Sequence, residues 1–115
     1  VTDTTVYDEF GVNTILTTWL VHDGYGFVNH CRMIDLAGYT AYWCGNHLYL
    51  INPELTEDAI KSLIEMYNSA GSFNPQNIVV FGYSFNFVEM ENLKTNVKIL
   101  RDSEKNLKIN LDIRY

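Results

Sequence analysis

Ile78-Val79-Val80-Phe81-Gly82-Tyr83-Ser84-Phe85-Asn86-Phe87-Val88-Glu89-Met90, running on through Glu91-Asn92-Leu93-Lys94-Thr95-Asn96-Val97-Lys98-Ile99 to Leu100, is the stretch on which the reading of the fold turns. Its first four residues are apolar without interruption and rich in β-branched and aromatic side chains, which suits a strand covered on both faces. The chain breaks at Gly82-Tyr83-Ser84 and restarts as an amphipathic helix, because Met90, Leu93, Val97 and Leu100 recur at steps of three and four. Asn86 and Glu89 have the spacing of a capping box. Acids early and Lys94, Lys98 and Arg101 late match the helix dipole.

On the N-terminal side of this unit, His47 to Ile51 reads as a strand, and Thr56 caps a helix that opens with Glu57 and Asp58. In that helix Ile60, Leu63, Ile64 and Tyr67 form one stripe, and Gly71 stops it. On the C-terminal side, Leu107 to Ile113 alternates strictly between apolar and polar residues, the pattern of a half-buried strand. Parallel strands at 47–51, 78–81 and 107–113 joined by two helices give a β-α-β-α-β unit. Upstream, Phe27–Asp35 and Tyr39–Cys44 flank Leu36-Ala37-Gly38 as an antiparallel hairpin, and apolar spacing from Thr5 to Val21 predicts an N-terminal helix. The expected architecture is α/β: a small two- or three-layer domain on a mixed sheet, with an N-terminal helix and an antiparallel meander ahead of the β-α-β-α-β unit.

With 115 residues, 47% hydrophobic and 14% aromatic, residues 1–115 are expected to form one packed domain without needing disulfides or metal. The opening Val1 suggests a segment excised from a longer protein. No apolar run is long enough to span a bilayer, and two cysteines do not make a secreted disulfide scaffold, so the cytoplasm is the default compartment. Net charge is −6 and unevenly placed: residues 1–60 carry eight acids against the single base Arg32, and residues 61–115 six acids against seven bases. The front half is therefore unsuited to binding phosphates. Lys94, Lys98, Arg101, Lys105 and Lys108 are the candidates for auxiliary nucleic-acid contact, set against the plainer reading of a solvated helix face.

Three constellations have the residue types for chemistry. His30, Cys31, Cys44 and His47 include the metal-ligand spacing Cys44-x-x-His47. If Ala37-Gly38 centres the hairpin, residues whose numbers add to 75 face each other, so Cys31 opposes Cys44 while His30 points to the other face. This disfavours a shared zinc, and a reducing compartment favours two buried free thiols over a cross-strand disulfide. His22, Asp23 and Tyr25 could support acid-base catalysis, but Asp23-Gly24 as a turn with Tyr25 on the core is the simpler account. Ser84 sits between strand and helix but lacks the second glycine of a nucleophile elbow. The aromatic run Tyr39, Tyr42, Trp43 and Tyr49 is expected to pack in the core or at a protein interface.

His47-Leu48-Tyr49-Leu50-Ile51, Leu55-Thr56-Glu57-Asp58-Ala59-Ile60-Lys61, Ile78-Val79-Val80-Phe81, Leu93-Lys94-Thr95-Asn96 and the end from Asp102 to Asn110 with Arg114-Tyr115 together resemble the C-terminal region of type III restriction-modification methyltransferase subunits. The resemblance covers residues 47–115 and more loosely 14–46. It implies a parent that is a β-class, adenine-specific (N6) DNA methyltransferase. The family's Asp-Pro-Pro-Tyr type motif is absent, since Pro53 and Pro75 are isolated. The Phe-x-Gly-x-Gly cofactor loop is not reproduced by Phe81-Gly82-Tyr83.

The resemblance therefore implies no catalytic, cofactor or metal residues in this fragment, with S-adenosylmethionine bound by an upstream domain. The expected role is structural, associating subunits or docking a partner. The implied partners are the remainder of the methyltransferase, a restriction subunit or a second copy, with DNA reached mainly through the parent and no membrane involved. The alternatives are a free-standing small nucleic-acid-binding module and a small enzyme using the 22–25 loop.

Overall fold

The strands of the sheet lie side by side in the order in which the chain makes them. In a computed structural model describing residues 11, 14–25, 31–69, 72–102 and 108–115, they are β1 (Arg32–Leu36), β2 (Tyr39–Cys44), β3 (His47–Leu50), β4 (Asn77–Phe81) and β5 (Asn110–Arg114). The first three are antiparallel, and β4 and β5 continue parallel to β3. Helices α2 (Glu57–Ser69) and α3 (Phe87–Arg101) are the two crossovers. Since both crossovers step in the same direction across the sheet, one hand of connection puts both helices on one face. Their buried residues, including Leu63 and Val97, share a core with Leu48, Leu50, Ile78 and Val80. A helix over residues 14–22, α1, covers the other face, where Leu16 and Leu20 pack with Tyr49, Ile51 and Val79. The alternation of Leu48, Tyr49, Leu50 and Ile51 between the two cores is the period of two expected of a strand buried on both sides.

The sequence-predicted α/β architecture is thus present as three layers on a mixed sheet. Residues 78–81 lie near its centre, with Ile78, Val79 and Val80 fully buried. The Asn86–Glu89 capping box is formed, with Glu89 N–H donating to Asn86 Oδ1 (2.8 Å) and Asn86 N–H to Glu89 Oε1 (2.9 Å). Thr56 Oγ1 accepts from Ala59 N–H at 3.1 Å. Gly82–Ser84 forms one turn of 3-10 helix, and Ser84 Oγ donates to Ile51 O, making it a connector between strands. The last strand begins at Asn110, after Lys108 and Ile109, because β4, its neighbour among the described residues, begins at Asn77; Asn110 N–H bonds Gln76 O at 2.7 Å. Residues 5–10 of the expected first helix, 27–30 of the expected first strand, Gly71 and Leu107 lie outside the described residues.

The hairpin register places Arg32 opposite Trp43 and Leu36 opposite Tyr39, the pairing expected from a turn centred on Ala37-Gly38. Both turn residues take positive φ, 51° and 93°, as a two-residue hairpin turn matched to strand twist requires. Extending this register by one residue sets Cys31 against Cys44, and here the expectation of free thiols is corrected: the two are joined as a disulfide. The reason is local. Directly opposed residues at a non-hydrogen-bonded position approach to about 4.5 Å, and the observed Cα–Cα distance of 4.4 Å lies within bonding range.

The disulfide closes a short loop, so reduction is expected to lower stability by about 2–3 kcal/mol. Thermal unfolding with and without reductant measures this, and identical transitions would contradict it. Asn86→Ala is expected to cost about 1 kcal/mol through loss of the cap, read by denaturant titration.

Candidate functional site

Helix α1 ends in a tight turn, with Asp23 N–H bonded to Trp19 O and Tyr25 N–H to Leu20 O, each at 2.8 Å. Gly24 follows at φ 90°, a conformation that favours glycine. The turn aims the Asp23 carboxylate at the sheet. There it accepts hydrogen bonds from Tyr49 Oη (2.6 Å) and from both terminal nitrogens of Arg114 (3.0 and 3.1 Å). Arg114 is the last residue of β5. Its Nε donates to Asp112 Oδ2 at 2.8 Å, and its guanidinium lies 5.3 Å from the Trp19 ring centre. The side chains of Asp23 and Arg114 are 8% and 19% exposed, so this forked pair works in a poorly solvated setting where charge-assisted hydrogen bonds are strong.

A second polar contact adjoins it. The His47 ring stacks on Tyr49, centroids 5.8 Å apart, and its Nδ1 lies 2.6 Å from Tyr25 Oη, which also accepts Asn46 N–H at 3.1 Å. The close approach of Tyr25 to the β2–β3 turn explains Gly45, since a Cβ there would lie 2.6 Å from the Tyr25 ring. Beyond the ion pair an aromatic row leads outward, from Trp19 to Phe81 (5.9 Å), Phe81 to Tyr83 (5.4 Å) and Tyr83 to Tyr115 (5.2 Å). Tyr83 and Tyr115 are largely exposed.

Burial raises the proton affinity of Asp23. The hydrogen bonds from Arg114 and Tyr49 and the charge of Arg114 outweigh it, holding the carboxyl below its ordinary range. For His47, burial lowers the imidazole below its ordinary value, with Arg114 adding to the effect and Asp23 opposing it. Burial and the hydrogen bond to Asp23 push the Tyr49 hydroxyl up. Asp23 is therefore a weak base with both oxygens engaged, an arrangement suited to joining layers rather than taking a proton from a substrate.

Among the residues proposed from sequence, Asp23 and Tyr25 are brought into this cluster, and His22 is exposed beside it. His30 lies outside the described residues. Both cysteines are consumed in the disulfide, while the His47 ring faces Tyr25 and Tyr49. Lys94, Lys98 and Arg101 are exposed on one stripe of α3, with Lys94 3.4 Å from Glu91. Lys108 is exposed ahead of β5, and Lys105 lies outside the described residues. Of the aromatic run, Tyr39 and Tyr49 are buried, Tyr42 packs against the α1-side core, and Trp43 packs edge-on to Phe73 at 5.0 Å. Reading for local motifs does not find Arg114, Asp112 and Tyr49 as a site. Their signal is the alternation of β5, which puts Asp112 and Arg114 on the face opposite Leu111 and Ile113.

Fold and cluster together define a small three-layer α/β domain knitted by an ion pair between its α1 layer and its last strand. Residues 10–107 match the model of a protein family described as the type III R-M EcoP15I C-terminal domain, and the chain belongs to that family. It is 33% identical over 102 residues to the type III restriction-modification enzyme EcoPI Mod subunit of Escherichia phage P1, and 32% identical over 102 residues to the EcoP15I Mod subunit of Escherichia coli. In each case the match covers 89% of this chain and 16% of the relative. The StyLTI Mod subunit of Salmonella typhimurium is 35% identical over 108 residues, 91% of this chain and 15% of that protein. The chain therefore spans about one sixth of the length of the EcoPI and EcoP15I Mod subunits. It corresponds to the C-terminal region of a type III Mod subunit, as its resemblance implies. No helix among the described residues is long and apolar enough to cross a membrane.

His47 and Asp23 both bind protons less readily folded than unfolded, so acid destabilises the domain. The His47 contribution is present above its ordinary 6.5 and lost as pH falls through its lower folded value. The Asp23 contribution is present above 3.8 and lost below it. Melting temperature against pH is expected to fall in two steps, with His47→Phe removing the upper and Asp23→Asn the lower. At pH 7, Asp23→Asn is expected to cost about 2 kcal/mol.

Proposed function

We propose that residues 1–115 form a single non-catalytic accessory domain at the C-terminal end of a site-specific adenine DNA methyltransferase of a type III restriction-modification system. Its role is to associate subunits or dock a partner. The observation that carries this reading is where the charges and the apolar surface go. The buried ionic groups are spent holding layers together, while Tyr83, Phe87, Val88 and Tyr115 are large apolar side chains left exposed at and beyond the ends of β4 and β5. Tyr83 and Tyr115 stand edge to face at 5.2 Å; exposed apolar side chains in contact mark protein association more than solvation, and the acidic front half repels a phosphate backbone.

In this reading S-adenosylmethionine belongs to the upstream part of the parent, and the partners are the rest of the methyltransferase, a restriction subunit or a second copy. DNA is reached through the parent, with Lys94, Lys98, Arg101, Lys105 and Lys108 supplying at most auxiliary contact. The compartment is the cytoplasm, where the thiol pool acts on the Cys31–Cys44 bond.

Incubated with S-adenosylmethionine and duplex DNA, the chain alone is expected to transfer no methyl groups. It should bind duplex DNA weakly, with the residual affinity disappearing as salt rises. Measurable turnover overturns the accessory role, and tight, salt-resistant DNA binding overturns protein docking in favour of a nucleic-acid module.

A further inference from the structure

Cys31 and Cys44 join the β1–β2 hairpin at its open end, away from the Ala37-Gly38 turn. The two residues are unequally reachable: Cys31 is half-buried ahead of β1, whereas Cys44 is 1% exposed in the core cluster with Leu16, Leu20 and Tyr49. Thiol–disulfide exchange begins when a thiolate reaches one of the two sulfurs, so its rate depends on access to the sulfur attacked. Of the two, Cys31 offers that access.

We propose that the Cys31–Cys44 bond is a reversible exchange site for small soluble thiols, attacked at Cys31 and releasing the start of β1 while the rest of the domain stays folded. The incoming thiolate bonds to Cys31 Sγ as the Cys31–Cys44 bond breaks, and Cys44 leaves with the electron pair and takes up a proton. A second thiolate attacks the incoming sulfur, and Cys31 leaves as a thiolate and is protonated. In sum, two small thiols are oxidised to their disulfide and the protein disulfide is reduced to two thiols. The disulfide of the same small thiol drives the reverse reaction. The inference stands apart from the accessory role proposed above.

The strand released is one that little else holds at that end. Arg32 and Met33 are exposed, Met33 at 71%, and the apolar anchoring of β1 begins at Ile34 and Leu36, which meet the core beneath α2. Among the described residues β2 is the only strand that pairs with β1. Because Cys31 and Cys44, 4.4 Å apart at Cα, oppose each other at a non-hydrogen-bonded position, the next pair, Arg32 with Trp43, is one that exchanges backbone hydrogen bonds. Those bonds lie between the disulfide and the first apolar anchor, so they open most readily once the sulfurs part. The core beneath α2 and α3 contains neither cysteine, so β3, β4 and the two crossover helices keep their packing.

Amide hydrogen exchange of the full chain, oxidised with glutathione disulfide and then reduced with glutathione, tests the release. Reduction should accelerate exchange at Arg32 and Trp43 at least about tenfold more than at Val79 and Val80, with native circular dichroism retained, and glutathione disulfide should restore the slow exchange. Single variants test the route. Cys44→Ala, which keeps Cys31, should form a mixed disulfide with glutathione disulfide at least about tenfold faster than Cys31→Ala, which keeps the buried Cys44. If either variant does not fold, mass mapping of the acid-quenched mixed disulfide on the unaltered chain, expected at Cys31, takes its place. Equal acceleration at all four amides, loss of the whole fold on reduction, glutathione found on Cys44, or a chain whose thiols glutathione disulfide leaves free overturns the proposal.

Discussion

Asp23 and Arg114 stand 91 residues apart in sequence, at the end of the α1 layer and at the end of the last strand, and their forked contact ties the two together. Among the described residues strand β5 has one sheet neighbour, and Leu111 and Ile113 are only half-buried. Apolar burial therefore holds β5 less firmly than it holds β3 or β4. Two charge-assisted bonds in a poorly solvated site supply what the hydrophobic face does not. Tyr49 is part of the same arrangement, since its hydroxyl donates to Asp23 while its ring lies fully buried under α1. A carboxylate placed there without both donors would carry an uncompensated desolvation cost.

This constraint shapes what the domain offers to other molecules. Asp23 is committed to Arg114, and among the described residues the exposed surface includes the tyrosines Tyr83 and Tyr115 and the Lys94, Lys98 and Arg101 stripe of α3. The protein-contact role proposed for the domain rests on the exposed tyrosines, in a chain that spans about one sixth of its relatives' length.

Much of the fold was legible because its signals are local or periodic. The Ile78–Phe81 run, the Asn86–Glu89 box, the Leu63 stripe and the alternation ending at Ile113 each report the period or terminus of one element. The Ala37-Gly38 turn set a register that the structure reproduces residue for residue. The Cys31–Cys44 pairing follows from that register, whereas its bonded state does not, because the compartment argument favours free thiols where the 4.4 Å Cα–Cα distance permits a bond. The ion pair was not legible. Asp23 reads as a turn residue and Arg114 as a terminal charge, and nothing in either segment encodes that topology will bring them within 3.0 Å. Long-range polar contacts of this kind depend on where α1 sits on the sheet, which hydrophobic patterning determines only to the level of a face.

A double-mutant cycle on Asp23 and Arg114, with Asp23→Ala, Arg114→Ala and the double variant compared by denaturant unfolding at pH 7, tests the interlayer tie most directly. If the pair joins β5 to the α1 layer, the single losses are each large and the double loss falls short of their sum by about 1.5–3 kcal/mol. Additivity within about 0.5 kcal/mol would show that the two side chains act independently and would contradict the account.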